Sequence, residues 1–97
     1  MRTIYKYPVM VTDNQTIEMP IGSQILTVQM QGGIPCIWAL VNLHNKPEKR
    51  HIRMAGTGHS IENKILNYIG TVQMASGALI WHVFELPLLE DQGGKNG

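Results

Sequence analysis

The 97-residue sequence predicts an all-β fold, a small antiparallel sandwich or barrel of about seven strands with at most one short helix. Three observations predict it. Apolar residues recur at spacing two or in short β-branched runs, and almost never at three and four. Gly, Pro and Asn clusters interrupt these runs at intervals too short for crossover helices. A hairpin-like segment occurs twice: Thr27-Val28-Gln29-Met30-Gln31-Gly32-Gly33 with Ile37-Trp38, and Thr71-Val72-Gln73-Met74-Ala75-Ser76-Gly77 with Ile80-Trp81.

Taken in order, strands are expected near residues 3–9, 15–19, 24–31, 34–43, 49–56, 68–75 and 78–85. Thr12-Asp13-Asn14 is a turn cluster after the first, and Pro20 with Gly22-Ser23 closes the second. Gly32-Gly33 and Ser76-Gly77 supply the positive φ that tight hairpins demand. Ser60 to Asn67 is the one place for a helical turn, with Ser60 as N-cap and Ile61, Ile65 and Leu66 on one side. Residues 1–87 are expected to form a single domain, and residues 88–97 a disordered tail, because from Glu90 onward there is nothing apolar to bury.

Alternation assigns faces. Leu26, Val28 and Met30 share one side of the first copy, as Val72 and Met74 do in the second, with Thr27, Gln29, Thr71 and Gln73 opposite. The returning strands are apolar on both sides: Trp38 and Leu40 oppose Ile37, Ala39 and Val41, and Trp81 and Val83 oppose Ile80 and Phe84. Such strands are central in a sandwich or pressed against another subunit, so a homo-oligomer is expected. The second copy is one residue shorter after its turn, and both tryptophans are read as core.

Eight Lys and Arg against seven Asp and Glu leave a net charge of +1, so bulk charge gives no reason to expect nucleic acid or membrane binding. A single cysteine makes no internal disulfide, no stretch has the length and apolarity of a membrane span, and the charged, proline-bearing start lacks a secretory core. A cytoplasmic location is expected, that of the host if the chain is phage-encoded. Cys36, between Pro35 and Ile37 with no basic neighbour, reads as packing.

Lys46, Lys49, Arg50 and Arg53 concentrate half of the eight basic residues in eight positions. In an extended strand Lys49, His51 and Arg53 point one way and Arg50, Ile52 and Met54 the other. Such a stripe grips phosphates; equally, cations on an edge strand discourage aggregation. Directly after it, Gly56-Thr57-Gly58-His59-Ser60 offers close backbone approach and hydroxyl donors, without the spacing of a P-loop or dinucleotide fingerprint. His44, His51, His59 and His82 lack metal-ligand spacing, and His82 reads as a hydrogen-bonded core or interface imidazole. The scattered carboxylates supply no matched acid and base, so neither catalysis nor a cofactor or metal is expected. The expected ligand-binding set is Arg50, His51, Arg53, Thr57, His59, Ser60 and Tyr68, the last, or Trp38 or Trp81, stacking on a base.

Lys6-Tyr7-Pro8, Ile17-Glu18-Met19-Pro20, Gln24-Ile25-Leu26-Thr27-Val28-Gln29, Trp38-Ala39-Leu40-Val41, Gly56-Thr57-Gly58-His59, Tyr68-Ile69-Gly70-Thr71-Val72-Gln73 and Trp81-His82-Val83-Phe84-Glu85 together resemble a family of small β-rich domains of unknown function from tailed phages and bacteria. The resemblance spans about residues 3–85 and implies a compact β-domain of phage or prophage origin, with no catalytic residues to carry over. The expected function is a phage accessory protein that sequesters a small anionic ligand, a nucleotide-derived immune signal. The alternative is a protein-interaction module that inhibits a host protein or serves in a phage assembly.

Overall fold

Period-two patterning decides the architecture. A computed structural model describes residues 1–87, and places there seven strands: β1 (Thr3–Pro8), β2 (Asn14–Pro20), β3 (Gln24–Gln31), β4 (Ile34–Val41), β5 (Pro47–Gly56), β6 (Asn67–Met74) and β7 (Leu79–Leu86). Each expected strand is present, with its ends within two residues of the expected ones. The expected tail at residues 88–97 lies outside the described residues. β1-β4-β3 form one antiparallel sheet and β2-β5-β7-β6 another. The two face each other as a sandwich and do not close into a barrel.

The buried side chains come from the inward positions of both sheets. Val28 and Ile37 of the first sheet meet Ile52, Met54, Val72 and Val83 of the second, with Val9 closing one side. Met19, Ala39 and Val41 form a second cluster, and Tyr7, Ile17 and Ile25 pack against both. The strands apolar on both faces, β4 and β7, are interior to their sheets, as their composition requires.

The repeated segment is repeated in topology. In the order β1-β4-β3 and again in β5-β7-β6, the returning strand of a hairpin lies between its partner and an antiparallel neighbour. The sheets come closest where the two Thr-Val-Gln-Met strands, β3 and β6, meet. Gly70 makes that approach possible: a Cβ there would lie 2.9 Å from Val28 Cγ1 and 3.6 Å from its carbonyl oxygen.

Three expectations change. Leu26 does not join Val28 on the inner face, because a bulge between Ile25 and Thr27 breaks the alternation and leaves Leu26 exposed while Ile25 packs inward. Ser60–Leu66 forms no helix: Ile61 and Ile65 are exposed, so no apolar stripe is buried to stabilise one, and Lys64 N donates to Glu62 O, a bond too local for a helix. Among the described residues the one short helical turn is at Ala75–Gly77, with Ala75 and Ser76 at positive φ, inside a hairpin connection longer than the two-residue turn of Gly32-Gly33.

The third change concerns Trp38 alone, since Trp81 packs against the core as expected. Trp38 opposes Thr27 and therefore faces outward, where Lys6 Nζ sits 5.9 Å from its ring centroid. Trp81 opposes Val72 and packs against the core. Met30 and Met74 pair equivalently across their turns, so the residue missing after the second turn rotates Trp81 to the inner face and puts His82, opposite Thr71, where the first copy has Trp38.

Two outcomes follow from this packing. Gly70→Ala drives a methyl into Val28 and its backbone, so unfolding in urea should show a loss of about 1–3 kcal/mol, the range for overpacking. Burial, with Tyr5 beside it, holds the Tyr7 phenol above its ordinary value of 10.0, so the folded chain keeps this proton more tightly than the unfolded chain. The resulting stability is complete below 10.0 and is lost as pH rises through the folded value; melting temperatures of Tyr7→Phe against the parent should diverge there.

Candidate functional site

Alternation along β5 splits the basic run between two faces. Arg50 lies on the inner face with Ile52 and Met54, only 8% exposed. Its Nε and Nη2 donate to the two carboxylate oxygens of Glu85 on β7, Nη1 donates to the Ser23 carbonyl at 2.9 Å, and Glu48 stands 3.5 Å away. The hydrogen bond to Glu85, working against burial, raises the guanidinium pKa further. Every side of this cation is answered within the sandwich.

On the other face of β5, Arg53 and His51 are also engaged, and Arg53, covered by the segment after the strand, is as buried as Arg50. Arg53 Nε donates to Glu62 at 2.9 Å, and Nη1 donates to the carbonyls of Met54 and Asp13. The Glu62 carboxyl is held below its ordinary range by its own backbone amide and then by Arg53. His51 Nε2 bonds Asn14 Oδ1 at 2.9 Å on β2, and Lys49 stands opposite Glu18 in the register. Thus Arg50, His51 and Arg53, expected to bind a ligand together, are not brought together: Arg50 faces the interior, and the other two hold β2 and the segment after β5.

The glycine turn does bound a hollow. Gly56 O accepts from His59 N at 3.1 Å, closing a four-residue turn at the end of β5. The His59 imidazole folds back over Gly56, where a Cβ would lie 2.9 Å from two of its ring atoms. One recess of about 220 Å³ is lined by Gly56, Thr57, His59 and Ala78–Trp81. A second, of about 250 Å³, shares Gly56, Thr57 and His59 and is walled by Ile61, His82 and Phe84. The Arg53–Glu62 ion pair anchors the residue next to Ile61, so that cation shapes the wall without entering the hollow.

His82 orders the rim. Its Nε2 bonds Thr57 Oγ1 at 2.7 Å and its Nδ1 bonds Thr71 Oγ1 at 3.0 Å, and Thr71 in turn shares a hydrogen bond with the Tyr68 hydroxyl. Tyr68 leans edge-on against Phe84, with ring centroids 5.6 Å apart. Of the expected residues, Thr57 and His59 line the recesses, Tyr68 reaches them through this chain of hydroxyls, and Ser60 is exposed beyond the turn. Sequence reasoning read His82 as a hydrogen-bonded core or interface imidazole and left it out of the ligand set; the one-residue offset between the repeats is the signal that places it outward beside Thr71. No three His, Cys, Asp or Glu side chains converge on a metal geometry among the described residues.

Gly56 is not at positive φ and its missing side chain admits the His59 ring, so Gly56→Ala should displace that ring at little cost in stability, below about 1 kcal/mol and so under the range for rigid overpacking. The imidazole proton shifts of His59 should move while urea unfolding stays close to the parent.

No curated protein and no solved structure matches the chain. A family model matches residues 1–93, nearly the whole length, and includes every strand and every residue of the recesses. The chain belongs to the family described as "Domain of unknown function (DUF7352)".

Proposed function

We propose that the protein binds and sequesters a small anionic ligand at the Gly56–His59 turn, without transforming it. The observation that carries this is the convergence of two recesses on one turn, where imidazoles and a hydroxyl (His59, His82, Thr57) stand beside aromatic walls (Trp81, Phe84). Apolar walls with a few fixed polar groups are the combination by which small-molecule sites orient a guest. The guest's charge is met by the His59 imidazole, since Arg50 and Arg53 have carboxylate partners of their own and both His82 ring nitrogens are taken by threonine hydroxyls. A planar base against Phe84 with phosphate at His59 makes a nucleotide-derived signal the guest that this lining suits best. The resemblance to phage domains supports a role in absorbing such a signal during infection, in the host cytoplasm.

A second reading rests on a different surface. The outer face of β1-β4-β3 carries Ile4 and Ile34, 56% and 49% exposed, beside half-buried Trp38 and Leu40, which suits an interaction module or an oligomer contact.

Thermal denaturation with cyclic dinucleotides, cyclic trinucleotides, cyclic ADP-ribose isomers and adenosine 5′-monophosphate separates the two. A bound member at about a hundred times its Kd should stabilise the fold by about 2.7 kcal/mol. It should be recovered intact on denaturation, and Thr57→Val with His59→Ala should abolish the effect. No shift with any member contradicts the proposal; a ligand recovered cleaved replaces sequestration with catalysis.

A further inference from the structure

We infer that the Trp81 indole N–H is the donor that selects the guest, taking an acceptor oxygen of its anionic group. The inference rests on the binding site proposed above. Trp81 Nε1 is the buried side-chain polar atom that makes no hydrogen bond among the described residues. A buried donor without a partner carries a desolvation penalty, and native structures keep few of them. Trp81 also lines the recess at the glycine turn. It is in this inward position because the second repeat lacks one residue; its counterpart Trp38 faces outward under Lys6.

The neighbouring geometry explains how a guest reaches it. Gly56 and Trp81 are partners in the β5–β7 register, so the two share a face of the sheet, and the His59 ring lies over that face of Gly56. His59 is exposed on the turn and lines the recess, and in this proposal its ring is the wall that gives way to a guest. As it swings aside, a phosphate or carboxylate oxygen reaches the indole N–H and takes a second hydrogen bond from the displaced imidazole, while the ring or apolar part of the guest occupies the second recess, against Ile61 and Phe84. The class of ligand is a small molecule with an oxyanion at one end and a planar or apolar body at the other. Thr57, common to both recesses and fixed by His82, sits between the two parts.

The test uses nuclear magnetic resonance on ¹⁵N-labelled Trp38→Phe protein, in which the one indole signal belongs to Trp81. The probes are adenosine 5′-monophosphate, ribose 5-phosphate, inorganic phosphate and, without an oxyanion, adenosine. The expected result is a downfield movement of the Trp81 indole proton with the phosphate-bearing probes and none with adenosine, together with shifts of the Thr57 and His59 amides. Trp81→Phe should then weaken adenosine 5′-monophosphate binding by roughly tenfold to a hundredfold, the loss of a hydrogen bond to a charged group. If that variant fails to fold, the indole shift alone decides. Amide shifts at Thr57 and His59 with a stationary indole proton overturn the role of Trp81 and leave the binding site standing. No shift at the turn with any probe overturns both.

Discussion

The Arg50–Glu85 ion pair is the interaction on which the arrangement depends. A charge inside a sandwich this small survives only when its donors are met, because the desolvation of two ions exceeds their attraction unless further hydrogen bonds complete the site. Here the guanidinium takes both oxygens of Glu85 and the carbonyl of Ser23. Those partners lie on β7 and just before β3, so one side chain on β5 ties the four-stranded sheet to the passage into the other sheet. Its place is a consequence of strand geometry: with Ile52 and Met54 turned to the core, Arg50 has no other direction to point.

That constraint confines any binding chemistry to what remains. The cations of β5 brace the fold, Arg50 from within and Arg53 by fastening the segment that carries Ile61. The polar groups left around a hollow are imidazoles and hydroxyls at the glycine turn, organised by His82 with both ring nitrogens occupied. The repeats were the means of building this. Two hairpins of like topology differ by one residue, and that residue turns a tryptophan inward and a histidine outward in the second copy alone.

How much of this the sequence disclosed follows from the range of the interactions involved. All seven strands were legible, since alternation and turn dipeptides act over a few residues. The division of Lys49, His51 and Arg53 from Arg50 was legible for the same reason. The exposure of Leu26 was not, because a bulge depends on the partner strand as much as on the bulged one. The partner of Arg50 lies 35 residues away, and no local pattern announces Glu85. Thr57 and His59 were identified from the glycines around them, whereas the Thr57–His82–Thr71 chain joins three segments that meet only through β5–β7 and β6–β7 pairing. A short apolar segment at Ser60–Leu66 resembled a helix because N-cap and spacing are local, while the missing surface to pack on is not.

The most direct measurement is a double-mutant cycle on Arg50→Met and Glu85→Gln, read by urea unfolding. If the pair holds the sandwich together, each single change lowers stability by about 3–5 kcal/mol, since each strands a buried charge. The double change should then cost clearly less than the two together, with a coupling of about 2 kcal/mol or more. Strictly additive effects would contradict the account. So would an Arg50→Met protein of unchanged stability that has lost its ligand, a result that would return this cation to the binding site.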